Sequence, residues 1–158
     1  VGQSRLARQR LAHDRELAYH DARALAIELG RGRPRAPFDP MAAGVVLWPG
    51  EAVYRQVPLA LSIRSRGSWA TPSTATVLVT DQRLLCRFHS GCLASLPWRH
   101  LTGLHINLAA AQITLDYADG TPIALTGVFA PVIAVAAVAC TYGPAALLTH
   151  PGLESLRH

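Results

Sequence analysis

A chain of 158 residues has room for one domain of ordinary size and an appendage, and 50% hydrophobic against 16% charged residues exclude a disordered polymer. The formal net charge is +5, and all 15 basic residues are arginine, a bias that fits codon usage in a GC-rich genome better than selection for guanidinium chemistry. Three cysteines, Cys86, Cys92 and Cys140, make no even disulfide framework, and no charged-then-apolar leader opens the chain, so a reducing, cytoplasmic setting is expected.

The first predicted element is a helix over residues 5–29, in which Leu11, Ala18, Ala22, Leu25 and Leu29 recur along one face. The arm is basic: eight arginines (Arg5, Arg8, Arg10, Arg15, Arg23, Arg31, Arg33 and Arg35) precede Phe38, against four acids, Asp14, Glu16, Asp21 and Glu28. Such a face either stands solvated or contacts phosphates of nucleic acid or lipid headgroups. The alanine-padded stripe, interrupted by Arg15, suits docking on the chain's own domain, with pairing to a second copy as the other use. Residues 30–44 read as a Gly/Pro-rich linker, an extended connector carrying Gly30, Gly32, Pro34, Pro37, Pro40 and Gly44. A domain over 45–148 and a tail over 149–158 follow.

From Glu51 the pattern changes to period two. Val53, Val57, Leu59, Leu61 and Ile63 alternate with Tyr54, Gln56, Ala60 and Ser62, which predicts a long strand with a kink or bulge at Pro58. Strands over 75–80 and 83–88 follow, joined by a turn at Asp81-Gln82, and Gly91 marks the next reversal. Ile113, Leu115 and Tyr117 alternate with Gln112, Thr114 and Asp116. Asp119-Gly120 then predicts a two-residue hairpin loop leading into Ile123 and Leu125. The apolar run Val128–Cys140 contains Pro131 and meets Gly143-Pro144, too short and too rich in alanine for a membrane span, so a closing helix is expected with Gly143 as a left-handed cap. Strands followed by one terminal helix indicate an α+β, mainly β, domain.

Four stretches carry a resemblance. Gly50-Glu51 before the first strand, Leu78-Val79-Thr80-Asp81-Gln82-Arg83-Leu84-Leu85, Leu96-Pro97-Trp98-Arg99-His100-Leu101-Thr102-Gly103 and Ile113-Thr114-Leu115-Asp116-Tyr117-Ala118-Asp119-Gly120 stand in an order that resembles bacterial pleckstrin-homology-like (PH-like) and GRAM-like domains over roughly 45–142. The resemblance implies a bent antiparallel barrel of about seven strands capped by a C-terminal helix, with no enzyme activity. It also implies a mainly structural Thr80-x-x-Arg83 turn, closed by Arg83 onto a carbonyl or Asp81, and headgroup contacts near the first hairpin.

That hairpin holds Arg64-Ser65-Arg66-Gly67-Ser68-Trp69, where two guanidinium forks and an interfacial indole could meet an anionic headgroup or a partner, with Arg83 and Arg87 on the following strands completing the candidate set. Cys86, His89 and Cys92, with His100 or His105, have zinc-like spacing, but Cys86 should point inward, so no metal site is expected. There is no glycine-rich phosphate loop, Gly-x-Ser-x-Gly elbow or His-Glu-x-x-His helix, and no cofactor is expected. The functional expectation is a non-enzymatic adaptor that binds a protein partner or its own copy, with the apolar 128–148 segment as a second contact, peripheral to an anionic membrane. The alternative is a nucleic-acid-associated protein using the basic arm.

Overall fold

The computed structural model describes residues 2–32 and 37–158; Arg33 and Arg35 of the basic arm and Pro34 of the linker lie outside the described residues. Helix α1 spans Gly2–Arg31, and its good helix formers carry it through thirty residues. Its docked face is Ala18, Ala22, Leu25 and Leu29, packed on the C-terminal helix α3 (Ala130–Tyr142). The stripe is shorter than its periodicity predicts: Leu11 is 42% exposed, and residues 2–17 project from the body. Arg55 fixes the docked half, its Nε 2.9 Å from Asp21 Oδ1 and its Nη2 3.0 Å from Glu28 Oε2. The segment expected to be an extended connector holds a short helix, α2 (Pro40–Ala43), capped by the Asp39 carboxylate and closed by Gly44 at a left-handed φ of 67°.

Eight strands follow: β1 (Val53–Ser65), β2 (Ser68–Trp69), β3 (Ser73–Thr80), β4 (Arg83–Phe88), β5 (Leu93–Pro97), β6 (Leu101–Asn107), β7 (Gln112–Tyr117) and β8 (Ile123–Thr126). All pairings are antiparallel, in the order β5-β4-β3-β1-β8-β7-β6, with the two-residue β2 paired to the end of β1. Thirteen residues let β1 pair with β3 over 53–61 and with β8 over 60–63, so one bent strand belongs to both halves of the sheet. With α3 packed on it, this is the mainly β arrangement of about seven antiparallel strands and a C-terminal helix that the sequence leads one to expect, but the sheet stays open, with β5 and β6 as its two edges and no pairing between them among the described residues.

The irregularity in β1 lies at Val53–Arg55 and not at Pro58, which stays in register opposite Thr76. Pro58 precedes the β8 pairing, which runs from Ala60, so its missing N–H is tolerated there. The shift swaps the faces expected for Val53 and Tyr54 and leaves those of Val57, Leu59 and Leu61 as expected. Tyr54 joins Val57, Leu59 and Leu61 in the main core, whereas Val53 packs with Val45, Leu78 and Leu85 on the opposite side of the sheet, under Phe38 and Leu47. Ile63, expected in the core, is 49% exposed.

Every residue from Ala130 to Ala139 is buried, because α3 touches β3, β6 and β7 on one side and α1 on the other. A helix covered on two sides needs apolar side chains all round, which accounts for the charge-free run. Exposed positions in the 128–148 segment lie outside this buried run, at Tyr142, Pro144, Ala145 and Leu148. Gly143 has a φ of 94° but a ψ of 158°, so the chain leaves α3 extended rather than through the expected left-handed cap. The β7–β8 connection spans residues 118–122 instead of two: Leu115 pairs with Ile123, and the turn closes by Gly120 N–H donating to the Tyr117 carbonyl. Beyond α3, two short 3-10 turns, Pro144–Leu148 and Pro151–Leu156, bury Leu147, Leu153 and Leu156 against the body. Among the described residues no helix is long and apolar enough to cross a membrane.

Candidate functional site

The five residues singled out from sequence divide into two groups. Arg83 is 5% exposed and fully engaged within the fold. Its Nε lies 2.9 Å from Glu51 Oε2 and its Nη2 3.1 Å from Glu51 Oε1, a bidentate pair, while Nη1 donates to Ser95 Oγ at 3.1 Å and Nη2 to the Val46 carbonyl at 2.9 Å. Its guanidinium carbon sits 4.1 Å from the Trp48 ring centroid. The expected closure onto Asp81 does not form. The Asp81 carboxylate instead accepts from Ala52 N–H at 2.9 Å, and Asp81 N–H donates back to the Ala52 carbonyl at 3.0 Å.

Thr80 organises the same turn. Its hydroxyl accepts from the N–H groups of Gln82 and Arg83 at 3.1 and 3.0 Å and donates to Glu51 Oε2 at 2.6 Å. Trp98 Nε1 donates to the Thr80 carbonyl at 2.9 Å, and Gln82 Nε2 to the Pro49 carbonyl at 3.2 Å. Burial pushes the Glu51 carboxyl up, but hydrogen bonds from Arg83, Thr80 and Trp48 N–H, with the Arg83 charge, outweigh it and hold the group below the ordinary carboxylate value. Glu51 and Trp48 were not among the sequence-derived candidates, although Gly50-Glu51 was part of the recognised pattern. Arg87 is likewise occupied, with Nη2 donating to the carbonyls of Ala43 and Gly44 at 3.0 and 2.9 Å, where it ends α2. Both residues brace the 43–51 segment against the sheet.

Arg64, Arg66 and Trp69 stay together on an exposed tip. Ser65 pairs with Ser68 and Arg64 with Trp69, so Arg66-Gly67 is a two-residue hairpin loop. Both loop residues have positive φ, 52° at Arg66 and 81° at Gly67, the twist that matches a two-residue turn to its strands. Holding a non-glycine residue there costs about 1–2 kcal/mol. The base is tied down by Arg64 N–H donating to the Pro122 carbonyl at 3.1 Å, Ala70 N–H to the Ile63 carbonyl at 3.0 Å, and the Ser62 hydroxyl to the Ala70 carbonyl. Cross-strand pairing puts the Arg64 guanidinium and the Trp69 indole on one face, with Trp69 42% and Ile63 49% exposed.

The cysteine–histidine spacing does not converge. Cys86 is buried on β4, opposite Ala94, and burial pushes its thiol up to about 12, whereas His89 and Cys92 are exposed at the β4–β5 reversal. His105 points to Asp116, Nε2 to Oδ2 at 2.9 Å. Among the described residues no group of three or more His, Cys, Asp or Glu side chains could hold a metal ion.

No protein-family model matches the chain, and no curated protein matches it. Solved structures do. The C-terminal domain of an unknown protein from Leishmania infantum is 12% identical with a TM-score of 0.42, the match covering 65% of this chain and 89% of that one. The Vps36 N-terminal PH domain is 13% identical with a TM-score of 0.45, covering 66% of this chain and 87% of that one.

Proposed function

We propose that this chain is a non-enzymatic PH-like adaptor that brings a protein partner to an anionic membrane surface, with the β1–β2 hairpin as its membrane-facing edge. One observation carries the reading: of the five candidate residues, Arg64, Arg66 and Trp69 alone share an exposed tip, while Arg83 is buried on Glu51 and Arg87 is bonded to the carbonyls of Ala43 and Gly44. Two guanidinium forks present planar donors to phosphate oxygens, and an indole beside them suits the headgroup layer. The alternative, nucleic-acid binding by the basic arm, is weaker because Arg8, Arg15 and Arg23 are interleaved with Asp14, Glu16 and Asp21 and no aromatic stacking set accompanies them.

The test is co-sedimentation with phosphatidylserine-containing and neutral vesicles, comparing wild type with Arg64→Glu/Arg66→Glu. The expected result is binding to anionic vesicles only, falling as salt rises and abolished by the double substitution. Failure of the wild type to sediment with anionic vesicles refutes the membrane-facing role.

A further inference from the structure

Away from the hairpin, the docked end of α1, α3 and the two C-terminal turns enclose an apolar groove of about 690 Å³. Its walls are Ile27 of α1, Val135 of α3, and Leu147, Leu148, Leu153 and Leu156 of the turns. The volume falls within the roughly 300–1,000 Å³ of small-molecule clefts. At its edge Ile27 is 55% and Leu148 76% exposed, large aliphatic side chains that water does not favour. Among the described residues, the lining includes three cations, Arg23, Arg31 and Arg157, and no acid.

Arg23 and Arg157 are positioned by the fold. Arg23 Nε donates to the Leu156 carbonyl at 2.9 Å and its Nη2 to the His158 carbonyl at 3.1 Å, while Arg157 Nη1 donates to the His150 carbonyl at 3.0 Å and reaches the Leu147 carbonyl at 3.5 Å. A guanidinium carries five N–H groups, so these bonds orient each fork while leaving donors for a further acceptor. An apolar trench bordered by one sign of charge calls for an occupant with a long apolar body and an anionic end. We propose that the groove binds a single long-chain fatty acid, its alkyl chain along the Ile27–Leu148 walls and its carboxylate on the arginine rim. A second copy of the chain fits less well, since its docking face would need acids opposite three arginines, and α1 carries its exposed acids among further arginines.

Gly30 provides the decisive variant. It lines the groove with nothing among the described residues beyond its own helix turn within 4 Å of where a side chain would begin and without a positive φ, so Gly30→Trp adds an indole at the groove wall without a backbone clash. The delipidated full chain is titrated calorimetrically with palmitate, laurate and hexadecanol below their aggregation limits. Saturable palmitate binding is expected at one per chain. Removing four methylenes to reach laurate should weaken it by roughly 100-fold or more, at about fourfold per buried methylene. Hexadecanol should bind at least about tenfold more weakly than palmitate, for want of the charge-assisted bonds. Gly30→Trp should abolish binding, and Arg31→Glu should weaken palmitate but not hexadecanol; melting curves of both variants confirm that they fold.

Absent saturable palmitate binding, equal affinity for hexadecanol, or undiminished binding by Gly30→Trp would each overturn the proposal. So would a wild-type dimer that Gly30→Trp converts to monomer in sedimentation, which would assign the groove to a second copy. Arg64→Glu/Arg66→Glu should leave palmitate binding unchanged, so the hairpin and the groove fail or stand separately.

Discussion

Replacing Arg83 by methionine removes the charge from the Glu51 pair while keeping part of its aliphatic stem. The Glu51 side chain has no solvent exposure, so it is left buried with only the Thr80 hydroxyl and the Trp48 N–H as partners. Breaking a buried pair from one side costs about 3–5 kcal/mol, most of it the desolvated charge left behind. For a chain of this size each kcal/mol moves Tm by about 2–4 °C, so Arg83→Met should melt roughly 6–20 °C below wild type.

The sign of the pH dependence follows from Glu51. Its carboxyl is held below the ordinary value in the folded state, so the stability it contributes is present above the unfolded carboxylate pKa of about 4.3 and is lost as pH falls through the folded value. In Arg83→Met the unpaired carboxyl is instead relieved by protonation. The gap between wild type and variant should therefore be full at neutral pH and narrow in acid. Adding Glu51→Gln to Arg83→Met removes the stranded charge and should recover part of the loss at pH 7. Thermal and urea unfolding across pH 4–8 measure both effects. A loss under about 1 kcal/mol, or a double variant no more stable than Arg83→Met, would refute the reasoning.

Two further outcomes follow from burial. Cys86, deep in the sheet with its thiol pushed up to about 12, should resist a thiol reagent until the protein unfolds, while exposed Cys92 reacts at once; native and denatured thiol counts distinguish them. Leu25→Ala should cost about 2–5 kcal/mol, because Leu25 is fully enclosed where α1 docks, whereas Leu11→Ala on the projecting half should stay within about 0.5 kcal/mol in the same unfolding assay.

Local chemistry made most of the architecture legible. The turn at Asp81-Gln82, the β7 alternation, the long first strand and the helix before Gly143 all lie where side-chain period and breakers put them, because each is decided within a dozen neighbouring residues. Features set by distant partners were not legible. The Val53–Arg55 irregularity has no breaker to announce it, and Pro58 marked the wrong place because its register is kept by Thr76 across the sheet. Periodicity extended the α1 stripe to Leu11, but a helical face is buried only where something stands opposite, and α3 reaches no further than Ala18. Arg83 and Arg87 looked like candidate ligands because their acceptors, Glu51 and the carbonyls of Ala43 and Gly44, are 32 to 44 residues away in sequence.

In a chain where every cation other than histidine is arginine, residue type cannot separate a structural cation from a binding one; geometry can, through what each fork already holds. Arg55 holds Asp21 and Glu28 and Arg83 holds Glu51, so each loses more by leaving its carboxylate partners than an external anion returns. Arg64 lies exposed at the end of β1 across from an indole, Arg66 lies exposed on the two-residue turn beside it, and Arg31 borders an apolar groove with no acid among its described lining residues. An anion brought to those positions gains a guanidinium without breaking a buried pair. Charge reversal there should therefore alter binding with little change in Tm, and the same reversal at Arg55 or Arg83 should do the opposite.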